Sequence, residues 1–234
     1  MKKIPQVSKT SKSDPFDFFE DIRIINLAEN AERLSDVTAE MDKMGVNFKR
    51  FDAVKRDQGA VGATLSHKQC IIEAKTAGKK NILIFEDDTA FMYDKEKTRK
   101  QLSVALDHLK DKDWDVLYFG INCVDVGDNP NNVIYPLCSG LYKVRAGYGA
   151  FAYVINGTAF DYFLSLFPEK ECDINVKNHT IIDQLLRFNF AERHKLYLTP
   201  LVLMQKDNVS NIQGCAVNYN ASILNRYKKY GVKY

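Results

Sequence analysis

The order of apolar and amphipathic segments predicts an α/β fold, one domain built on a mostly parallel, twisted sheet flanked by helices. Three observations carry this expectation. From Asp21 to Gly120 strand-like runs alternate with helix-like ones, and parallel neighbours need such a crossover between them. The strand runs are continuously apolar, as in Asn81-Ile82-Leu83-Ile84-Phe85, which suits strands buried on both faces. No linker-like stretch divides the ordered part, so residues 21–213 read as one domain.

Residues 1–20 are rich in Lys and Ser with two prolines and read as a flexible N-terminal arm. DIRIINL (21–27) is strand-like. Ala31, Leu34, Val37, Met41 and Met44 then recur at three- and four-residue steps, an amphipathic helix that Gly45 stops. FKRFDAV (48–54) is a second strand, and residues 62–78 form a helix from Gly62 to Gly78. NILIFED (81–87) is the third strand, 97–110 a helix with Leu102, Ala105, Leu106 and Leu109 inward, and DWDVLYFG (113–120) the fourth strand. Asn, Asp, Gly and Pro dominate 121–147, an insertion with short strands near 132–135 and 140–144. GYGAFAYVIN (147–156) is a strand feeding a helix over 157–167, TIIDQLLRFNF (180–190) is a helix, and KLYLTPLVLMQ (195–205) is a strand interrupted by Pro200. Residues 214–234, with Arg226, Lys228, Lys229 and Lys233 between tyrosines, read as a basic, solvated C-terminal helix or tail.

Composition narrows the function classes. A formal net charge of +3 argues against a general nucleic-acid surface. No run of about 18 apolar residues occurs and no apolar stretch follows the two N-terminal lysines, so a cytoplasmic or cytosol-facing protein without a transmembrane segment is expected. Five scattered cysteines without C-x-x-C spacing make zinc improbable and suit reduced thiols. The absence of G-x-x-x-x-G-K-S/T speaks against a P-loop phosphoryl-transfer enzyme.

Chemistry concentrates at strand ends, where loops of an open α/β sheet fan apart into a crevice. Glu86, Asp87 and Asp88 close the third strand; adjacent carboxylates raise one another's pKa unless a cation neutralises them, so they are either a divalent-metal seat or a charged turn. Alternation along a strand would put Glu86 and Asp88 on one side and Asp87 on the other. Ser66 and His67 follow Gly62-Ala63-Thr64-Leu65 at a helix start and read as phosphate or base ligands, or as N-cap chemistry with a surface histidine. Arg33 lies past Asn26-Leu27, in reach of a nucleotide or on a solvated helix face. Asp207 is a metal ligand or a loop residue, His179 and His194 face solvent, and Tyr148 with 121–140 is placed to wall an acceptor site.

Ile25-Asn26-Leu27-x5-Arg33, Phe51-Asp52-Ala53-Val54, Gly62-Ala63-Thr64-Leu65-Ser66-His67-Lys68 and Ile82-Leu83-Ile84-Phe85-Glu86-Asp87-Asp88 together resemble, in order and spacing, glycosyltransferase family 25, the lipooligosaccharide and collagen galactosyltransferase group. The likeness runs more loosely through Gly149-Ala150-Phe151-Ala152-Tyr153, Ile182-Asp183-Gln184, Pro200-Leu201-Val202, Gln205 and Ser210-Asn211-Ile212. Ala63 stands where a cysteine is common and Phe151 where a histidine is common. The resemblance implies a GT-A-like fold and a metal-dependent inverting glycosyltransferase that moves a sugar from a nucleotide-sugar donor, UDP-linked, to a hydroxyl of a glycan or protein. It assigns Mn²⁺ or Mg²⁺ to Asp88 with Glu86, the donor to Asn26, Leu27, Arg33, Asp52, Ser66, His67, Glu86 and Asp87, and the catalytic base to Asp183, a residue that could equally serve the helix dipole. The alternative is a non-catalytic nucleotide-sugar-binding or scaffold domain that retains the fold.

Overall fold

A computed structural model describes residues 13–121, 134–145, 147–189, 193, 195–206, 208–209, 216–217 and 220–232. Its central sheet has eight strands: β1 (Ile22–Asn26), β2 (Lys49–Asp52), β3 (Asn81–Glu86), β5 (Val116–Tyr118), β6 (Ile134–Cys138), β7 (Leu141–Val144), β8 (Ala152–Asn156) and β9 (Leu196–Leu198). The spatial order is β2-β1-β3-β8-β5-β9-β7-β6. β2, β1, β3, β5, β9 and β6 run one way, while β8 and β7 run against them. The α/β class with a mostly parallel sheet is therefore what the chain adopts.

The antiparallel β8 is the departure from simple alternation. The segment before it arrives at the carboxyl ends of β3 and β5, and the strand then descends between them, from Ala152 opposite Phe85 to Asn156 opposite Asn81. Among the described residues no helix intervenes between β7 and β8.

Along β3 the apolar run divides by parity. Ile82 and Ile84 belong to the core layer under α2 (Gly59–Thr76), α4 (Phe160–Ser165) and α6 (Asn220–Lys229); Leu83 and Phe85 belong to the layer under α1 (Ala31–Met44) and α3 (Lys95–Leu109). Burial on both faces explains why no polar alternation was needed. α1 ends as expected, with Gly45 in the left-handed region at φ 62 and its N–H on the Met41 and Asp42 carbonyls.

Five local expectations change. Order begins before residue 20: Asp14 caps a 3₁₀ turn at Pro15–Phe18, and Phe16 and Phe19 are buried against the α3 layer. The C-terminal helix is not simply solvated, because Ile223, Tyr227 and Tyr230 are buried and the Tyr227 hydroxyl accepts the Ile121 N–H at 2.7 Å. Pro200 splits the 195–205 run into β9 and β10 (Leu203–Gln205), and β10 pairs antiparallel with β4 (Thr89–Phe91) in a separate ribbon beyond the acidic turn. The 157–167 helix is a 3₁₀ turn followed by α4, and the 180–190 helix is α5 (Ile182–Gln184) continued by a π-helical turn at Leu185–Asn189. Among the described residues no helix is long and apolar enough to cross a membrane. Cys70, Cys138 and Cys172 are free thiols.

Candidate functional site

A cavity of ≈ 690 Å³ opens at the carboxyl ends of β1 and β3. Leu27, Arg33, Ser66, His67, Glu86, Asp87, Asp88 and Asp183 all line it, so most of the residues singled out in the sequence converge there. Tyr148 and Gln205 line it as well.

The acidic end of β3 is a turn, and that changes how its carboxylates point. Strand geometry stops at Glu86, so the expected alternation does not carry through to Asp88. Arg33 bridges the two aspartates, with Nη2 2.7 Å from Asp87 Oδ1 and 3.1 Å from Asp88 Oδ2. Asp87 Oδ2 accepts from Asn26 Nδ2 at 2.7 Å, and Asp88 Oδ2 from Gln205 Nε2 at 3.4 Å. Asp88 Oδ1 is buried without a hydrogen-bond partner among the described residues. Burial, reinforced by mutual repulsion, raises the group: Glu86 and Asp88 are each pushed up to about 7, and Asp87 upward by burial against the opposing pull of Arg33 and Asn26.

Glu86 faces a different partner. His67 is fully buried, with Nδ1 2.8 Å from the Tyr153 hydroxyl and Nε2 3.4 Å from Glu86 Oε1. Burial lowers the imidazole to about 4 and raises the Tyr153 phenol, so the ring is neutral and the phenol protonated. A neutral ring beside a carboxylate carries its proton on Nε2; the phenol then donates to Nδ1. His67 is thus not the surface residue that a helix-start reading suggested. α2 begins at Gly59, one turn earlier than expected, and places Ser66 and His67 well inside the helix, away from its free N–H groups.

The Gly62–Lys68 stretch has a physical reading of its own. Gly62 and Ser66 lie four residues apart on one face against the loop after β2. The Ser66 hydroxyl accepts the Val54 N–H and donates to the Gly62 carbonyl, both at 2.8 Å, and a Cβ on Gly62 would sit 2.4 Å from the Val54 carbonyl oxygen. Thr64 faces another way, donating to Ala60 O at 2.7 Å and accepting the Ile182 N–H at 3.0 Å. That last bond caps the helix carrying Asp183.

Asp183 also lines the cavity and is held by one oxygen: Oδ1 accepts the backbone N–H groups of Gly149 at 3.1 Å and Ala150 at 3.0 Å. Burial, with a contribution from the Glu86 charge, pushes it up to about 6 despite those two donors.

Two expected donor contacts stand elsewhere. Asn26 is buried behind the lining, its amide bonded to Asp87, to the Asn30 carbonyl and to Arg50 Nε. Asp52 is an exposed side chain paired with Arg50. Phe151 lines the cavity from the apolar core, 2 % exposed. His179 is exposed, as expected, whereas Asp207, His194 and Ser210-Asn211-Ile212 lie outside the described residues. The sequence reading did not foresee Tyr153 as the partner of His67; the available signal was a phenol in an otherwise apolar strand, which needs a hydrogen-bond partner when buried.

Among the described residues no three His, Cys, Asp or Glu side chains converge into a preformed metal cage. What exists is one buried, unpartnered carboxylate oxygen, Asp88 Oδ1, beside a cavity of substrate size. That suits Mg²⁺-type binding, in which one or two carboxylates share the ion with substrate phosphates.

No family model matches the chain, and no curated protein sequence matches it. Solved structures similar in shape include UDP-glucose pyrophosphorylase complexed with UDP-glucose, at 12% identity and TM-score 0.40, covering 90% of this chain and 79% of that one. Another is a glycosyltransferase involved in the glycosylation of the major capsid of PBCV-1, at 12% identity and TM-score 0.38, covering 76% and 93%. A third is A197 from STIV, at 11% identity and TM-score 0.40, covering 82% and 96%. Likenesses this distant leave the reading of the site to its own geometry.

Proposed function

We propose that the chain is a glycosyltransferase with a GT-A-like sheet, related to family 25, that moves a sugar with inversion from a UDP-linked donor to a hydroxyl of a glycan or protein. The observation that carries this reading is the convergence, on one cavity, of a carboxylate cluster with its guanidinium and a separately mounted Asp183.

Asp183 is the base. Its Oδ1 is already engaged by two N–H groups, so Oδ2 takes the acceptor proton. A carboxyl near 6 is mostly ionised at pH 7 yet more basic than an ordinary aspartate, which matches a general base to its working pH. As the acceptor oxygen bonds to the anomeric carbon, the bond to the diphosphate breaks and its electron pair leaves with UDP. Arg33, held beside Asp87 and Asp88, would neutralise that charge as it develops. Asp88, with Glu86 beside it, would hold Mn²⁺ or Mg²⁺, and the ion would supply Lewis-acid neutralisation of the leaving diphosphate. Leu27 contributes an apolar wall at the nucleotide end, and His67, through Glu86, keeps one carboxylate aimed into the cavity.

The test is a panel of UDP-sugars with and without Mn²⁺, read by thermal stabilisation and by release of UDP. At least one donor should stabilise the protein and be turned over, and Asp183→Asn should keep the stabilisation while losing turnover. No response to any nucleotide sugar sinks the reading. The apolar Phe151 at a position where the resembling family carries histidine favours the second reading, a binding domain; it predicts stabilisation by donor with no turnover in the unsubstituted protein.

A further inference from the structure

We infer that Arg33 is a built-in placeholder for the cation at the end of β3, holding the aspartates in the absence of donor and releasing Asp88 when a diphosphate arrives to take the guanidinium. The inference rests on the donor reading above and deepens it.

The geometry is specific. One guanidinium nitrogen, Nη2, serves both Asp87 and Asp88, so a single displacement frees both contacts. Asp87 has a second partner in Asn26 and keeps a firm seat without Arg33. Among the described residues the Asp88 carboxylate has only the long Gln205 contact besides Arg33, and its other oxygen is the buried atom without a partner. Arg33 Nε is likewise buried and without a hydrogen-bond partner, although an arginine fork has five N–H groups to place. Both residues line the cavity and hold unused capacity at a buried atom: an acceptor on Asp88 suited to a hard cation, and a donor on Arg33 suited to a phosphate oxygen.

Charge forbids the two cations from sharing Asp88 at low cost. A divalent ion within a few Å of a guanidinium in a partly buried site meets strong repulsion, unless an anion lies between them. A nucleoside diphosphate is such an anion. Metal alone is disfavoured by Arg33, diphosphate alone lacks the ion, and each favours the other. By linkage the coupling is the same whichever ligand is added first.

The experiment titrates Mn²⁺ alone, UDP alone, and Mn²⁺ in saturating UDP, into the wild-type chain, Arg33→Ala and Arg33→Gln, following the loss of the free-Mn²⁺ paramagnetic signal and the heat of UDP binding. Circular dichroism checks that each variant is folded, and the neutral, polar Gln variant, which keeps more of the side chain, stands in if Ala does not fold. Removing the guanidinium should tighten Mn²⁺ alone by roughly ten-fold, while UDP alone weakens, and the several-fold gain in Mn²⁺ affinity that UDP brings to the wild type should shrink toward one. Equal Mn²⁺ affinity in wild type and variants, or an unchanged UDP effect, overturns the placeholder role and leaves the donor reading standing. Absence of Mn²⁺ binding in every protein overturns it too, together with the metal assignment, and the UDP titration then reports separately on the nucleotide site.

Discussion

Replacing Thr64 with valine tests how the site is held together. The hydroxyl is fully buried and is the partner of the Ile182 N–H at 3.0 Å, one residue before Asp183. Ile182 opens α5, so its N–H has no carbonyl four residues back within that helix, and the preceding residue offers no side-chain cap. Valine keeps the shape and removes the acceptor. A buried donor left unsatisfied costs about 1–3 kcal/mol. At about 2–4 °C per kcal/mol for a chain of this size, the melting temperature should fall by about 2–12 °C. Thr64→Ser, which restores the hydroxyl, should recover most of that loss in calorimetry. Turnover should fall further than stability, because the freed helix start carries the proposed base. A Thr64→Val protein melting within about 1 °C of wild type, with Thr64→Ser no better, would refute the claim that α2 caps the Asp183 helix.

Two other substitutions probe the same architecture. Asp183 is raised from 3.8 to about 6, so between those values the native state holds a proton the unfolded chain has released, and stability falls as pH rises through that window. Asp183→Asn keeps an acceptor for Gly149 and Ala150, so in urea titrations it should exceed wild-type stability by about 1–3 kcal/mol at pH 7.5, a gain that fades toward pH 4; an equal gain at both pH values contradicts the raised pKa. Wild-type turnover, in turn, should fall as pH drops through about 6, where the base becomes protonated. Gly62→Ala should destabilise by about 1–3 kcal/mol, since its Cβ would lie 2.4 Å from the Val54 carbonyl oxygen, and a denaturation midpoint equal to wild type would contradict that close approach.

Periodicity and apolar runs determined the α/β class, the helices α1, α2 and α3, and the strands β1, β3 and β5, because those signals depend on local spacing and on burial of both sheet faces. They also put Glu86, Asp87 and Asp88 at a strand end, as a candidate site, while Asp183 was singled out by the family resemblance. What local spacing could not contain was partnership across the chain. Arg33 meets Asp87 across 54 positions, and the phenol of Tyr153 meets His67 across 86. The reversal of β8 depends on where the segment before it enters the sheet, and a continuously apolar strand reads the same in either direction. Asn26 and Asp52 lie in the right strands, but whether a side chain faces a cavity or a neighbouring arginine is decided by which strand packs beside it. The sequence by itself therefore determined which residues could carry chemistry; only tertiary packing decided which of them share a wall, because hydrogen-bond reach is about 3 Å in space and carries no memory of separation along the chain.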